Sequence, residues 1–153
     1  MKMLCFDMDG TIADLYNVNK WLDKILAEDP SPYAEAKPIW EMGKLTSILS
    51  QMISKGWEIR VITWLSKGGN PDYNKKIRQA KKEWLDCQNF PRSKTHVVKY
   101  GTRKASAIRK KDRENLEEAI LVDDDPRVRK SWNLGRTIDP TNVNLLEVLE
   151  ELL

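Results

Sequence analysis

At 153 residues and a formal net charge of +3, the chain has the length of a single domain, long enough to bury a core without disulfide or metal staples. With 41% apolar and 32% charged residues it is excluded from the disordered class, and no apolar run approaches the ~20 residues of a membrane-spanning helix. Cys5 and Cys87 stand in no metal spacing, and Asp7 comes too early for a signal peptide, so a reducing, cytoplasmic setting without a membrane partner is expected.

Lys2–Phe6 reads as a first strand, followed by a turn over Asp7–Thr11. Val18, Trp21, Leu22, Ile25 and Leu26 then fall on one helical face, and Asp29-Pro30-Ser31-Pro32 breaks that helix. A second helix is expected from about Pro38, with Met42, Leu45, Leu49 and Met52 inward and Gly56 just past its end. Glu58–Thr63 is rich in β-branched residues. Asn70 and Pro71 form an N-cap and first helical residue, and Tyr73, Ile77, Ala80 and Trp84 give that helix its buried stripe. A short strand over Thr95–Lys99 precedes a helix expected from Thr102 to about Lys111. Ala119–Val122 reads as a strand buried on both faces. Pro126–Asn133 (helix), Arg136–Ile138 (strand) and Thr141–Leu153 (helix) complete the chain.

Strand and helix in alternation predict an α/β fold, a parallel sheet with helices on both faces. The whole chain, 1–153, is expected to be one domain, with a small helical insertion at about 14–37 over the carboxyl edge of the sheet, where open α/β sheets bind ligands. Within Asn74–Arg113 lie 14 Lys and Arg against three acids, Glu83, Asp86 and Asp112. Lys75, Lys76, Lys81, Lys82, Lys110 and Lys111 are expected to solvate outer helix faces; the alternative is a footprint for a phosphate-rich partner.

Chemistry-bearing residues gather at the ends of the expected strands. Asp7 and Asp9 follow the first, Thr63 ends the second, a lysine follows the third, and Asp123-Asp124-Asp125 follows the fourth. So many carboxylates at one edge repel one another unless a cation is present, and all-oxygen ligands suit a hard divalent ion of the Mg²⁺ type. Asp125-Pro126 reads as N-cap and first helical residue, leaving Asp123 and Asp124 as the metal pair. Among Lys94, Lys99 and Lys104, Lys104 is preferred: in a first helical turn the dipole disfavours a cation, which points to an anion nearby. Lys99 is the substitute. His96 lies mid-strand without a second histidine and is expected to be structural.

Asp7-Met8-Asp9-Gly10-Thr11, Thr63, Lys104 and Asp123-Asp124, in that order, resemble the four motifs of the haloacid dehalogenase-like (HAD) phosphohydrolase superfamily. The resemblance spans residue 3 to about 140. It implies a three-layer Rossmann-like fold with strand order 5-4-1-2-3 and a small cap. It further implies a Mg²⁺-dependent phosphatase in which Asp7 attacks phosphorus, Asp9 acts as general acid and then base, and Thr63 and Lys104 hold the phosphoryl group. Asp7, Asp9, Asp123 and Asp124 are the residues expected around the metal.

Two substrate classes remain open. Gln79–Leu85 and Leu121-Val122-Asp123-Asp124 look similar to 5′-nucleotidases acting on (deoxy)nucleoside monophosphates, which makes a small phosphorylated nucleotide the preferred substrate. Asp123–Trp132 also looks similar to the 3′-phosphatase domain of polynucleotide kinases, which act on nucleic-acid ends; no phosphate-binding Gly-x-x-x-x-Gly-Lys loop accompanies it. A non-catalytic nucleotide- or protein-binding module is the third reading, and it predicts loss of at least one key aspartate, where none is lost. Tyr16, Trp21, Tyr33 and Trp40 are expected to pack the insertion's own core, with one or two of them as candidates to stack on a base, whereas Trp57, Trp84 and Trp132 fit core positions.

Overall fold

The computed structural model describes all 153 residues, Met1–Leu153. Strand β1 (Lys2–Phe6) buries Met3, Leu4, Cys5 and Phe6 completely, because both its faces are covered. The insertion follows: β2 (Ala13–Asp14), a 3-10 turn, α1 (Trp21–Leu26), α2 (Ser31–Glu35) and β3 (Lys37–Pro38). β2 and β3 pair antiparallel, with Ala13 opposite Pro38 and Asp14 opposite Lys37, which ties the two ends of the excursion together. Trp40 Nε1 then donates to the Thr11 carbonyl at 2.8 Å, so the chain returns to the point where it left.

Helix α3 (Met42–Ser54) begins later than the expected Pro38. Pro38 is held in the ribbon, and the Glu41 carboxylate caps the helix by accepting the Gly43 and Lys44 N–H groups. Next come β4 (Trp57–Trp64), α4 (Pro71–Cys87) and β5 (Lys94–Val98). The start of α4 is as expected, with Asn70 accepting the Tyr73 N–H at 2.8 Å and Pro71 in the first position.

The helix expected from Thr102 to Lys111 is two pieces, a 3-10 turn at Lys104–Ala107 and α5 (Lys110–Glu114). Ile108 and Arg109 between them are extended, and the break lets Asp112 reach the guanidinium of Arg60 at 2.9 Å. The chain closes with β6 (Glu118–Val122), α6 (Pro126–Ser131), β7 (Arg136–Ile138) and α7 (Leu145–Glu151). α7 starts after Thr141 because the Asp139 carboxylate holds residues 139–142 in a turn, accepting from Thr141 N–H and hydroxyl.

Five strands form one parallel sheet, β5-β4-β1-β6-β7, with β1 central. This order differs from the expected 5-4-1-2-3, which counted five strands in the chain. The insertion contributes two more, β2 and β3, which take two of the numbers and stand apart as their own ribbon. The period-two alternation of strands divides the core into two layers. Leu4, Phe6, Ile59, Val61, Ile120 and Val122 pack with α3 and α7, while Met3, Cys5, Ile62, Ala119 and Leu121 pack with Ile108, Val128 and Trp132. A third cluster, Leu15, Tyr33, Leu65, Tyr73 and Ile77, seats the insertion on α4. Trp57, Trp84 and Trp132 are buried. No helix is long and apolar enough to cross a membrane.

Candidate active site

β1, β4 and β6 all end at the same edge of the sheet, so the residues just beyond them meet. Asp7 leaves β1 with its N–H bonded to the Val122 carbonyl at 2.9 Å, and Asp123 follows Val122 directly. Lys104 reaches in from the 3-10 turn and places Nζ 2.5 Å from Asp7 Oδ1 and 2.7 Å from Asp123 Oδ2. All three are buried. Burial by itself would depress the Lys104 ammonium, yet the Asp7 and Asp123 charges hold it above its ordinary value. Lys99 is exposed and Lys94 lies 3.9 Å from Asp112, so neither belongs to this group.

Thr11 joins the two sides of the site. Its hydroxyl lies 3.1 Å from both Asp7 Oδ2 and Asp124 Oδ1 and accepts the Asp124 N–H at 3.2 Å. Gly10 makes this approach possible, since it adopts φ +80° and a Cβ there would lie 2.5 Å from Asp124 Oδ2 and 2.8 Å from the Tyr16 ring. Asp125 caps α6 as expected, accepting the Arg127 N–H at 2.8 Å.

Asp7, Asp123 and Asp124 offer carboxylate oxygens within 4.8 Å of one another. Burial, followed by the charge of Asp7, pushes the Asp123 carboxyl up to about 6 and the Asp124 carboxyl up to about 7. Three carboxylates against one lysine leave the cluster short of positive charge, so the acidic triad can hold a metal ion, and an all-oxygen donor set fits a hard divalent cation. Asp9, expected among the metal ligands, is not one of the three. Its Oδ2 accepts from Lys81 Nζ at 2.8 Å, and burial outweighs that ion pair in raising its carboxyl above the ordinary range.

Lys81 was expected to solvate an outer face. It is fully buried instead, with Nζ donating to Asp9, to Thr63 Oγ1 at 2.7 Å and to the Trp64 carbonyl at 2.8 Å. The signal was present in the sequence: position 81 lies four residues after Ile77 and three before Trp84, on the apolar stripe of its own helix. The other lysines grouped with it, Lys75, Lys76, Lys82, Lys110 and Lys111, are exposed as expected. His96 is half-buried on β5, away from the site.

A cavity of about 820 Å³ opens above Asp7, Asp9, Thr63, Lys104, Asp123 and Asp124. Its walls are largely apolar. On the insertion side stand Tyr16 and Trp21, edge to face at 5.0 Å between centroids, with Leu22 and Leu26 beside them. On the other side stand Trp64 and Tyr100, also 5.0 Å apart, with Trp64 Nε1 fixed to the Thr102 carbonyl. The apolar face of α1 therefore borders the cavity, and Leu22 and Leu26 are 50% and 73% exposed. Tyr33 lines the cavity as well; Trp40 does not, being turned to Thr11 and the main core. In comparisons with known proteins, no family model and no curated protein matches the chain.

Proposed function

We propose that the chain is a Mg²⁺-dependent phosphomonoester hydrolase of the haloacid dehalogenase-like type, acting through an aspartyl-phosphate on a nucleoside 5′-monophosphate. The observation that carries this reading is the convergence of Asp7, Lys104, Asp123 and Asp124 beside Asp9 and Thr63 at one cavity floor. A non-catalytic binding module gains nothing from a buried carboxylate with a second acid two residues on and a threonine hydroxyl at the same cavity floor.

In this mechanism an Asp7 oxygen attacks phosphorus while the bond to the leaving oxygen breaks, and Asp9 gives that oxygen its proton. Burial keeps the Asp9 carboxyl easier to protonate than an ordinary one, as the acid role requires. Lys104 and the Thr63 hydroxyl hold the non-bridging oxygens. Asp9, now ionised, takes a proton from the water that attacks phosphorus, and Asp7 is released. Asp7, Asp123 and Asp124 would hold the Mg²⁺, which neutralises phosphoryl charge when bound.

The walls support a nucleotide. Trp64, Tyr100, Tyr16 and Trp21 offer flat faces and edges to an aromatic leaving group, and the volume lies in the range of small-molecule sites. The cavity is lined by Lys67, Lys104 and Arg127, of which only Lys104 comes from the basic stretch Asn74 to Arg113, so most of that stretch is not placed to grip the many phosphates of a polynucleotide. The test compares kcat/KM for a nucleoside 5′-monophosphate and a 3′-phosphorylated oligonucleotide at two salt concentrations, with Mg²⁺ and with EDTA. The mononucleotide should be the better substrate, with a shallow salt dependence and no turnover in EDTA. A preferred oligonucleotide whose binding falls with salt by a log–log slope of about −0.7 per phosphate contact would replace this substrate assignment.

A further inference from the structure

We infer that Lys81 is a positioning residue that sets the acid–base aspartate and the phosphoryl-binding threonine together; this rests on the reading of the site as a phosphatase. A buried ammonium is costly unless all its protons find acceptors. Lys81 meets that condition with three: Asp9 Oδ2 at 2.8 Å, Thr63 Oγ1 at 2.7 Å and the Trp64 carbonyl at 2.8 Å. The Tyr33 ring lies 5.0 Å from Nζ and closes the remaining side. A methionine on the same apolar stripe would fill the space without the desolvation cost. Stability of α4 therefore gives no reason for a lysine here, while both side chains it grips line the cavity.

The hydrogen-bond polarity gives Lys81 its effect. A hydroxyl has one proton and two lone pairs. Lys81 occupies a lone pair of Thr63 Oγ1 and is its one protein partner, so the hydroxyl proton is left to point into the cavity, as a donor to a phosphoryl oxygen. On Asp9, Lys81 takes Oδ2, which fixes the carboxyl plane and leaves Oδ1 as the oxygen that exchanges a proton with the leaving group. One ammonium thus fixes the geometry of proton donation and the direction of the threonine's hydrogen bond.

The test is the Lys81→Met variant, assayed with Mg²⁺ on two esters that need proton donation to different degrees. A nucleoside 5′-monophosphate has a poor leaving group and depends on Asp9; p-nitrophenyl phosphate has a good one and depends on it little. Lys81→Met should lower kcat on the nucleotide by about 10²-fold or more, the lower range of general acid catalysis, and on the aryl ester by less than a tenth of that factor. Loss of folded protein alone would lower both rates equally, so equal losses, or none, overturn the role of Lys81. Absence of hydrolysis of both esters by the wild-type chain overturns the role together with the phosphatase reading. If the methionine variant does not fold, Lys81→Leu, which also removes the donors to Asp9 and Thr63, is read by the same ratio.

Discussion

Gly10 shows how one missing side chain shapes the site. The residue holds φ +80° and lets Asp124 and Tyr16 approach its α-carbon more closely than any Cβ permits. Gly10→Ala incurs about 1–2 kcal/mol for the left-handed backbone alone and also displaces the Asp124 carboxylate, which is one of the three acidic groups. The expected result is a lower thermal midpoint and a loss of divalent-ion binding, read by calorimetry with and without Mg²⁺. Unchanged metal binding would show that Asp124 is not a ligand. Asp7, Thr63, Lys104 and Asp123 were legible in the sequence because each stands at the end of a strand, just past one or in the turn that follows, and parallel strands deliver such positions to one edge. Lys81 was not. A charge count treats every helical lysine as solvated, and only its phase relative to Ile77 and Trp84 reveals that it points inward.

Element boundaries followed local chemistry where the capping residue was explicit, as at Asn70-Pro71 and Asp125-Pro126. They failed where tertiary contacts decided. Pro38 looked like a helix start but pairs with Ala13, and the stretch after Thr102 gives up helical continuity so that α5 can bring Asp112 to Arg60. The apolar stripe of α1 was legible, yet the stripe alone could not say that it packs on a core through Trp21 and Ile25 and also borders a cavity. Arg60 is fully buried on β4, bonded to Glu58 at 2.7 Å and to Asp112 at 2.9 Å. The Arg60 hydrogen bond holds the Asp112 carboxyl below its ordinary value, and for Glu58 the bonds from Arg60 and Ser93 overcome the opposing effect of burial. Carboxyls depressed in the fold stabilise it above their unfolded pKa, and that contribution is lost as pH falls through the folded values. The wild-type urea midpoint should therefore fall as pH drops below about 4, the unfolded carboxyl range. Arg60→Met, though less stable at neutral pH, should show a shallower fall. Parallel acid profiles for the two proteins would remove Arg60 from the linkage.

The fold puts Asp7, Asp9, Thr63, Lys104, Asp123 and Asp124 at one end and closes that end with 26 residues tied at their base by the β2–β3 ribbon. The sheet supplies the charged floor, the insertion and the loops after β4 and β5 supply apolar walls, and the exposed lysines of α4 lie outside the cavity. On the proposed reading, this arrangement suits a small phosphate ester with an aromatic body. The proposed mechanism requires that Asp7 becomes covalently phosphorylated. The direct measurement is rapid acid quench of the protein incubated with Mg²⁺ and a nucleoside monophosphate carrying radiolabelled phosphate, followed by peptide mapping. Label should appear on the peptide containing Asp7, with the acid stability and hydroxylamine sensitivity of an acyl phosphate, and should be absent from Asp7→Asn. Steady turnover with no protein-bound label, and an Asp7→Asn variant that keeps its rate, would contradict the account.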